Sequence, residues 1–257
     1  MSTNRQTRIN QFLGEHKLGT VCLASWLEEQ GISYGLQKRY RSSGWLESVG
    51  KGAFKRPKEE IQWQGGLYAL QTQARLPLHA GAITALAMQG LAHYFRVADE
   101  KVFLFSPYKT ILPIWYKNYP WGNPIKHIQT SFLPVELGLQ SQELKTFSIT
   151  VSTPERAILE CLFLAPTHFD LVECYQVMEG LVNLRPRLLQ ELLEQCTSVK
   201  VKRVFLYMAK KARHQWLSRL ELGKIDLGIG KRSLVKGGSL DTEFQITLPK
   251  ELVNNGF

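Results

Sequence analysis

Apolar residues recur at helical spacing along the N-terminal stretch of the chain and then give way to short alternating runs. Ile9, Phe12 and Leu13 mark one amphipathic helix that Gly14 can end. In GTVCLASWLEEQGIS, Thr20 is placed to cap a second helix whose Leu23, Trp26 and Leu27 form an i, i+3, i+4 face. Gly31 supplies the positive φ that terminates it. Ile32 then reads as a core plug, and Ser33 can cap a third helix, SYGLQKRYRSSG. Leu36 and Tyr40 predict its inward face, leaving Tyr34, Gln37, Lys38 and Arg41 opposite, with Arg39 at the flank. WLESV and AFKRP read as two strands joined by the tight turn Gly50-Lys51-Gly52.

Beyond Pro57 the pattern becomes Ala- and Leu-rich, with Leu67, Leu70, Ile83, Leu86 and Leu91 as candidate core and Pro77 between two helices. FSITVSTPERAILECLFL predicts strand, turn and helix, with Thr153 as cap and Pro154 at the first helical position. Further helices are expected from Asp170 and, entered at Pro186, over about 185–195. From Lys200 to Arg219 the chain is basic without one acid, and Val204, Phe205, Met208 and Ala212 give it an apolar face. SLDTEFQITLPKEL alternates as a closing strand with Phe244, Ile246 and Leu248 on one side. The fold class expected is α+β: a winged helix-turn-helix over residues 1–62, then a larger mixed α/β domain over 63–257.

Length and composition agree with two domains. The 257 residues are 44% hydrophobic and 21% charged, which suits packed cores rather than a disordered chain. No run reaches the roughly 18 apolar residues of a membrane span, and the polar, basic start carries no secretory signal, so a cytoplasmic protein without membrane contact is expected. Cys22, Cys161, Cys174 and Cys196 form no C-x-x-C pair and read as buried, reduced thiols. The six histidines lack zinc-ligand spacing, so neither metal nor cofactor is expected.

The formal net charge of +10 is unevenly spread. Residues 1–58 carry +6, residues 59–184 carry −3 and residues 185–257 carry +7. Basic ends around an acidic middle suit surfaces that meet polyanions, although a generally basic, soluble protein would share the same total. Between Ser33 and Lys58 seven cations stand against Glu47 alone. Helix, turn, basic helix and basic hairpin in that order point to double-stranded DNA, although a solvated basic helix on a small bundle has the same local pattern. The DNA-facing residues expected are Ser33, Tyr34, Gln37, Lys38, Arg39 and Arg41 on the helix and Lys51, Lys55 and Arg56 on the wing. Gln can pair adenine and Arg or Lys guanine, while wing cations position phosphates.

Other features carry less. Trp115, Tyr116, Tyr119 and Trp121 could stack bases, though such clusters more often form core. DLGIGKRSLVKGG fails the phosphate-loop pattern, with Ile225 and Arg232 at its two diagnostic positions. No catalytic motif stands out. An enzyme directed to nucleic acid by the winged helix, or a protein–protein adaptor, are the competing classes.

The whole chain resembles the AbiEi-like antitoxins of type IV (AbiE-type) toxin–antitoxin systems. The resemblance rests on the N-terminal pattern and on LPLHAGAITALAMQGLAHYF, STPERAILECL and IDLGIGKRSLVKGGSLDTEFQITLP, in that order. It implies a bacterial protein whose winged helix binds operator inverted repeats and represses its own promoter. It also implies a second domain that counters a nucleotidyltransferase-like toxin without a stable complex. The basic surface of Lys200, Lys202, Arg203, Lys210, Lys211 and Arg213 is then the expected seat of antitoxicity.

Overall fold

The computed structural model describes Phe12, residues 14–92 and residues 101–254; Ile9 and Leu13 lie outside them. The described residues fall into two compact units. One comprises the chain up to His79 with 109–125 and 141–150, the other 80–108, 126–140 and the chain from Val151.

The first unit opens with β1 (Cys22–Leu23), α1 (Ala24–Glu29), α2 (Tyr34–Ser42), β2 (Glu47–Gly50) and β3 (Ala53–Lys55). These strands form an antiparallel sheet in the order β1-β3-β2, with Cys22 opposite Phe54 and Glu47 opposite Lys55. That is the element order of a winged helix-turn-helix. Phe12, Cys22, Leu27, Ile32, Leu46 and Phe54 form its buried core, against which Trp26, Leu36 and Tyr40 pack. Each large apolar side chain so buried stabilises by about 1.5–3 kcal/mol.

Thr20 does not cap the helix after it. Its Oγ1 donates to the carbonyl of Lys17 at 2.6 Å, and the fully buried run Val21-Cys22-Leu23 takes up strand geometry first. The Ala24 N–H at the head of α1 donates instead to the Gly52 carbonyl at 2.9 Å, tying the wing turn to the helix pair. Gly52 holds φ +75°, the conformation this tight turn requires.

The unpaired edge of β1 is closed by a side chain from α3 (Trp63–Thr72) and its C-cap. Gln73 accepts from the Leu23 N–H at 2.8 Å and donates to the Val21 carbonyl at 2.9 Å, imitating a neighbouring strand. A short helix, α4 (Ala82–Met88), belongs to the second unit, whereas α5 (Ile114–Asn118) belongs to the first. Trp115, Tyr116 and Trp121 are buried there, Tyr116 and Trp121 with ring centroids 4.9 Å apart, so this aromatic cluster is core. Trp115 backs the wing so closely that a Cβ on Gly50 would lie 2.6 Å from its own Cβ.

A five-stranded sheet is formed by β4 (His79–Ala80), β5 (Val102–Ser106), β6 (Ile125–Gln129), β7 (Leu139–Glu143) and β8 (Ser148–Ser152), in the order β6-β5-β4-β8-β7. In the second unit, helices α6 (Pro154–Leu164), α7 (Leu171–Gly180), α8 (Pro186–Gln195) and α9 (Val199–Lys211) follow. Helix α6 is central, packed by α4, α7, α8 and α9. The predicted starts hold at Pro154 and Pro186, and Asp170 caps α7 by accepting from the Val172 N–H at 2.7 Å. A second small sheet, β9 (Arg232–Ser233), β10 (Ser239–Asp241) and β11 (Ile246–Leu248), leads into α10 (Lys250–Asn254). Phe244, Ile246 and Leu248 are buried as the alternation predicts.

Helix α6 also holds three buried charged residues, Glu155, Arg156 and Glu160. Glu160 accepts from Arg156 Nε, Ser152 Oγ and the Ala82 N–H, each at 2.8 Å. Arg156 Nη1 donates to the carbonyls of Pro134 and Leu137, both at 2.6 Å. Glu155 accepts from the Arg185 side chain at 2.9 and 3.0 Å and from its N–H at 2.8 Å. Burial pushes the Glu155 carboxyl up, but those bonds outweigh it and hold the group below its usual value. All four cysteines are buried and unbridged.

Candidate nucleic-acid interface

The turn between α1 and α2 is set by a polar residue. Gln37 is only 1% exposed, and its Nε2 donates to the carbonyls of Ala24 and Ile32, both at 3.0 Å. This corrects the expectation that Gln37 reads bases: its amide is turned inward, where it satisfies one carbonyl at the head of α1 and one in the turn. Left unpaired, buried carbonyls cost about 1–3 kcal/mol each. Gln37→Ala is therefore expected to lower stability by about 1–3 kcal/mol in urea unfolding. Retained sequence preference in the folded variant is the second expected reading. A preference that vanishes while stability stays unchanged would return Gln37 to the interface.

With Gln37 inward, the outward face of α2 is narrower than the sequence suggests. Tyr34, Lys38 and Arg41 fall at i, i+4 and i+7, all exposed, and make one stripe along the helix. Arg39 is exposed beside it, and Ser33 stands at the N-cap position without a side-chain cap bond. The Arg41 guanidinium carbon lies 5.4 Å from the centre of the Phe54 ring, which restrains the side chain against the wing.

The three wing cations are not equivalent. Lys51 is exposed at the tip. Lys55 is folded down, 3.3 Å from Glu47 and donating to the Glu59 carbonyl at 2.8 Å. Arg56 donates to the His16 carbonyl at 3.2 Å and lies 3.8 Å from Glu59. Lys55 and Arg56 therefore stabilise the wing's root, and Lys51 alone of the three projects from it.

Arg56 also affects its neighbour. Burial first, and the Arg56 charge second, lower the His16 pKa to about 4. The imidazole is therefore neutral in the folded unit and protonates more readily once unfolded. Its contribution is present above pH 6.5 and is lost as pH falls toward 4, a total of about 3 kcal/mol. Urea midpoints measured across that window should fall with pH in the parent and fall less in His16→Gln. Parallel profiles would show that His16 is not the group responsible.

The basic helix α9 differs more sharply from its sequence pattern. Lys202 and Arg203 are each 3% exposed, so they belong to no surface. Arg203 donates to the carbonyls of Leu227, Gly228 and Gly230 at 2.7, 3.0 and 2.6 Å, and to that of Gln245 at 3.2 Å. Lys200 donates to the carbonyls of Phe163 and Ala165 at the end of α6, and burial lowers its pKa. Lys210 pairs with Glu243, Lys211 lies over the Tyr175 ring at 5.6 Å, and Arg213 is exposed. A single basic face is thus corrected to two buried cations, one end-cap and three cations near the C-terminal end of the helix. For Arg203 the sequence missed this because its partners are carbonyls 24 to 42 residues away, and carbonyls leave no mark in a sequence.

Two family models match the chain: residues 5–97 match the N-terminal domain of the transcriptional regulator AbiEi antitoxin, and residues 99–249 match the transcriptional regulator, AbiEi antitoxin, of a type IV toxin–antitoxin system. The chain belongs to the AbiEi antitoxin family. A crystal structure of the RV2827C protein from Mycobacterium tuberculosis has the same fold, with a TM-score of 0.64 at 13% identity over 96% of this chain and 92% of that one. No curated protein matches the chain. For an AbiEi antitoxin, the STPER string is legible as architecture: Ser152, Glu155 and Arg156 all serve the buried network of α6. Among the described residues no helix is long and apolar enough to cross a membrane.

Proposed function

We propose that this AbiEi antitoxin binds operator inverted repeats in double-stranded DNA through its first unit and represses its own promoter. The observation that carries the reading is the exposed stripe Tyr34-Lys38-Arg41 on a helix whose entry is locked by Gln37, beside a wing tip bearing Lys51. An inserted helix of this kind reads the major groove, while the wing tip and Arg39 meet phosphates. The face from Ser33 to Lys51 is polar and basic apart from Tyr34 and Trp45, which favours DNA over an apolar adaptor surface.

The second unit, on this reading, counters a nucleotidyltransferase-like toxin in the bacterial cytoplasm without forming a stable complex. Glu155 is held by Arg185 side-chain and backbone donors, and Glu160 by Arg156, the Ser152 hydroxyl and the Ala82 N–H, which favours a structural task for both over a catalytic one. The deciding experiment titrates the full chain against a duplex carrying the promoter repeats and against a scrambled duplex, at several salt concentrations. Preference for the repeats that depends on Lys38 and Arg41 supports the proposal. Equal binding to both duplexes, or no binding, overturns it.

A further inference from the structure

The most exposed large apolar side chain described is Ile229, at 92%. It sits on a turn whose backbone is gripped by several side-chain hydrogen bonds. Gly228 and Gly230 flank it at φ +61° and +80°, a geometry that side chains resist. Asp226 Oδ1 accepts from the Gly228 N–H at 2.8 Å on the incoming side. On the outgoing side Arg232 enters β9, opposite Ile246. Between them the buried Arg203 guanidinium gathers three carbonyls of the turn and one of Gln245.

Burying a guanidinium without a carboxylate is a poor route to stability. Here it preorganises a turn whose tip contributes nothing to any core. The cations around that tip face solvent: Lys231, Arg232 and Lys236 are all exposed, and Arg232 Nη1 lies 3.8 Å from where a Gly230 Cβ would stand. Asp226, the one acid of residues 226–238, is committed to the turn.

We propose that this turn is a wedge for duplex DNA: Ile229 enters between two base pairs from the minor groove while Lys231 and Arg232 neutralise the adjacent phosphates. The chemistry favours nucleic acid over a protein partner. A specific protein interface needs roughly 800 Å² per side with an apolar centre, whereas this tip offers one aliphatic side chain among cations. A single aliphatic side chain between flanking cations is the size of group that unstacks one base step and kinks the duplex. The inference rests on the reading of the chain as a DNA-binding regulator, and it adds a foothold on the duplex made by the second unit.

The test uses the full chain and the promoter duplex, labelled at both ends for energy transfer and with 2-aminopurine at successive steps. The parent is expected to shorten the end-to-end distance and to raise 2-aminopurine emission at one step. Ile229→Ala should lose both signals and bind about tenfold more weakly, with an unchanged melting temperature because the side chain touches no core. Lys231→Glu with Arg232→Glu should lower the salt slope by about 0.9 for every phosphate that is no longer neutralised. If the parent binds the repeats with preference while Ile229→Ala matches it in affinity, bend and emission, the wedge alone is overturned. If the parent binds no duplex, the DNA reading and the wedge fall together. Variants that keep every DNA signal but lose protection from the toxin in cells would assign the turn to a protein and overturn the wedge.

Discussion

Glu160→Ala is expected to destabilise the second unit by about 3–5 kcal/mol, enough to unfold a typical domain of marginal stability. The carboxylate is fully buried and is the counter-charge of Arg156, itself buried. Removing it leaves a guanidinium in the interior with two carbonyls but without that anion, and strips the Ser152 hydroxyl and the Ala82 N–H of their acceptor. The space is tight as well: a Cβ on Gly81 would collide with Glu160 Oε2. Glu160→Gln keeps acceptor capacity for some of these donors and should lose less. Replacing the pair together, Arg156→Leu with Glu160→Met, should recover part of the loss by removing the orphaned charge. Urea unfolding followed by far-UV circular dichroism reads all three. A Glu160→Ala protein within about 0.5 kcal/mol of the parent, the range of an ordinary surface change, would show that the network is dispensable.

Lys38→Glu with Arg41→Glu should weaken binding to the promoter repeats by about a hundred- to ten-thousand-fold, given the usual strength of such contacts and the repulsion introduced. Both side chains are exposed and only the Arg41 contact with the Phe54 ring is lost, so the variant should melt within a few degrees of the parent. Log affinity against log salt should become shallower by about 0.9 for each phosphate the variant leaves unneutralised. The companion Lys55→Gln, at a lysine that serves Glu47 and the Glu59 carbonyl, should act on wing stability with a far smaller effect on affinity. A double variant that binds as the parent does would place the interface elsewhere.

Local chemistry was legible where one residue type answers one backbone need. Gly52 in the wing turn, Pro154 and Pro186 at helix starts, the helix that begins after Asp170 and the alternation through Ile246 and Leu248 all stand as their sequence implies. The family itself was legible from long strings that span the chain. Polar residues with inward tasks were not. Gln37, Lys202 and Arg203 look like solvated positions because amphipathic patterns assume that polar means outward. All three are buried, Gln37 and Arg203 against backbone carbonyls, and only the assembled fold shows where those carbonyls are. The membership of Trp115 in the first unit was hidden for the same reason: it lies over 60 residues after Gly50, which it touches.

The placement of the cysteines gives each unit its own clock. Burial raises the pKa of all four thiols, that of Cys22 to about 12, so the reactive thiolate is scarce in the folded chain. An alkylating reagent can then reach sulfur only during an opening event. Cys22 sits in the first unit, while Cys161, Cys174 and Cys196 sit in the second. The pace at which each sulfur is modified under native conditions therefore times the opening of its own unit. Mass spectrometry of one unmodified chain can follow the two units side by side, with and without DNA.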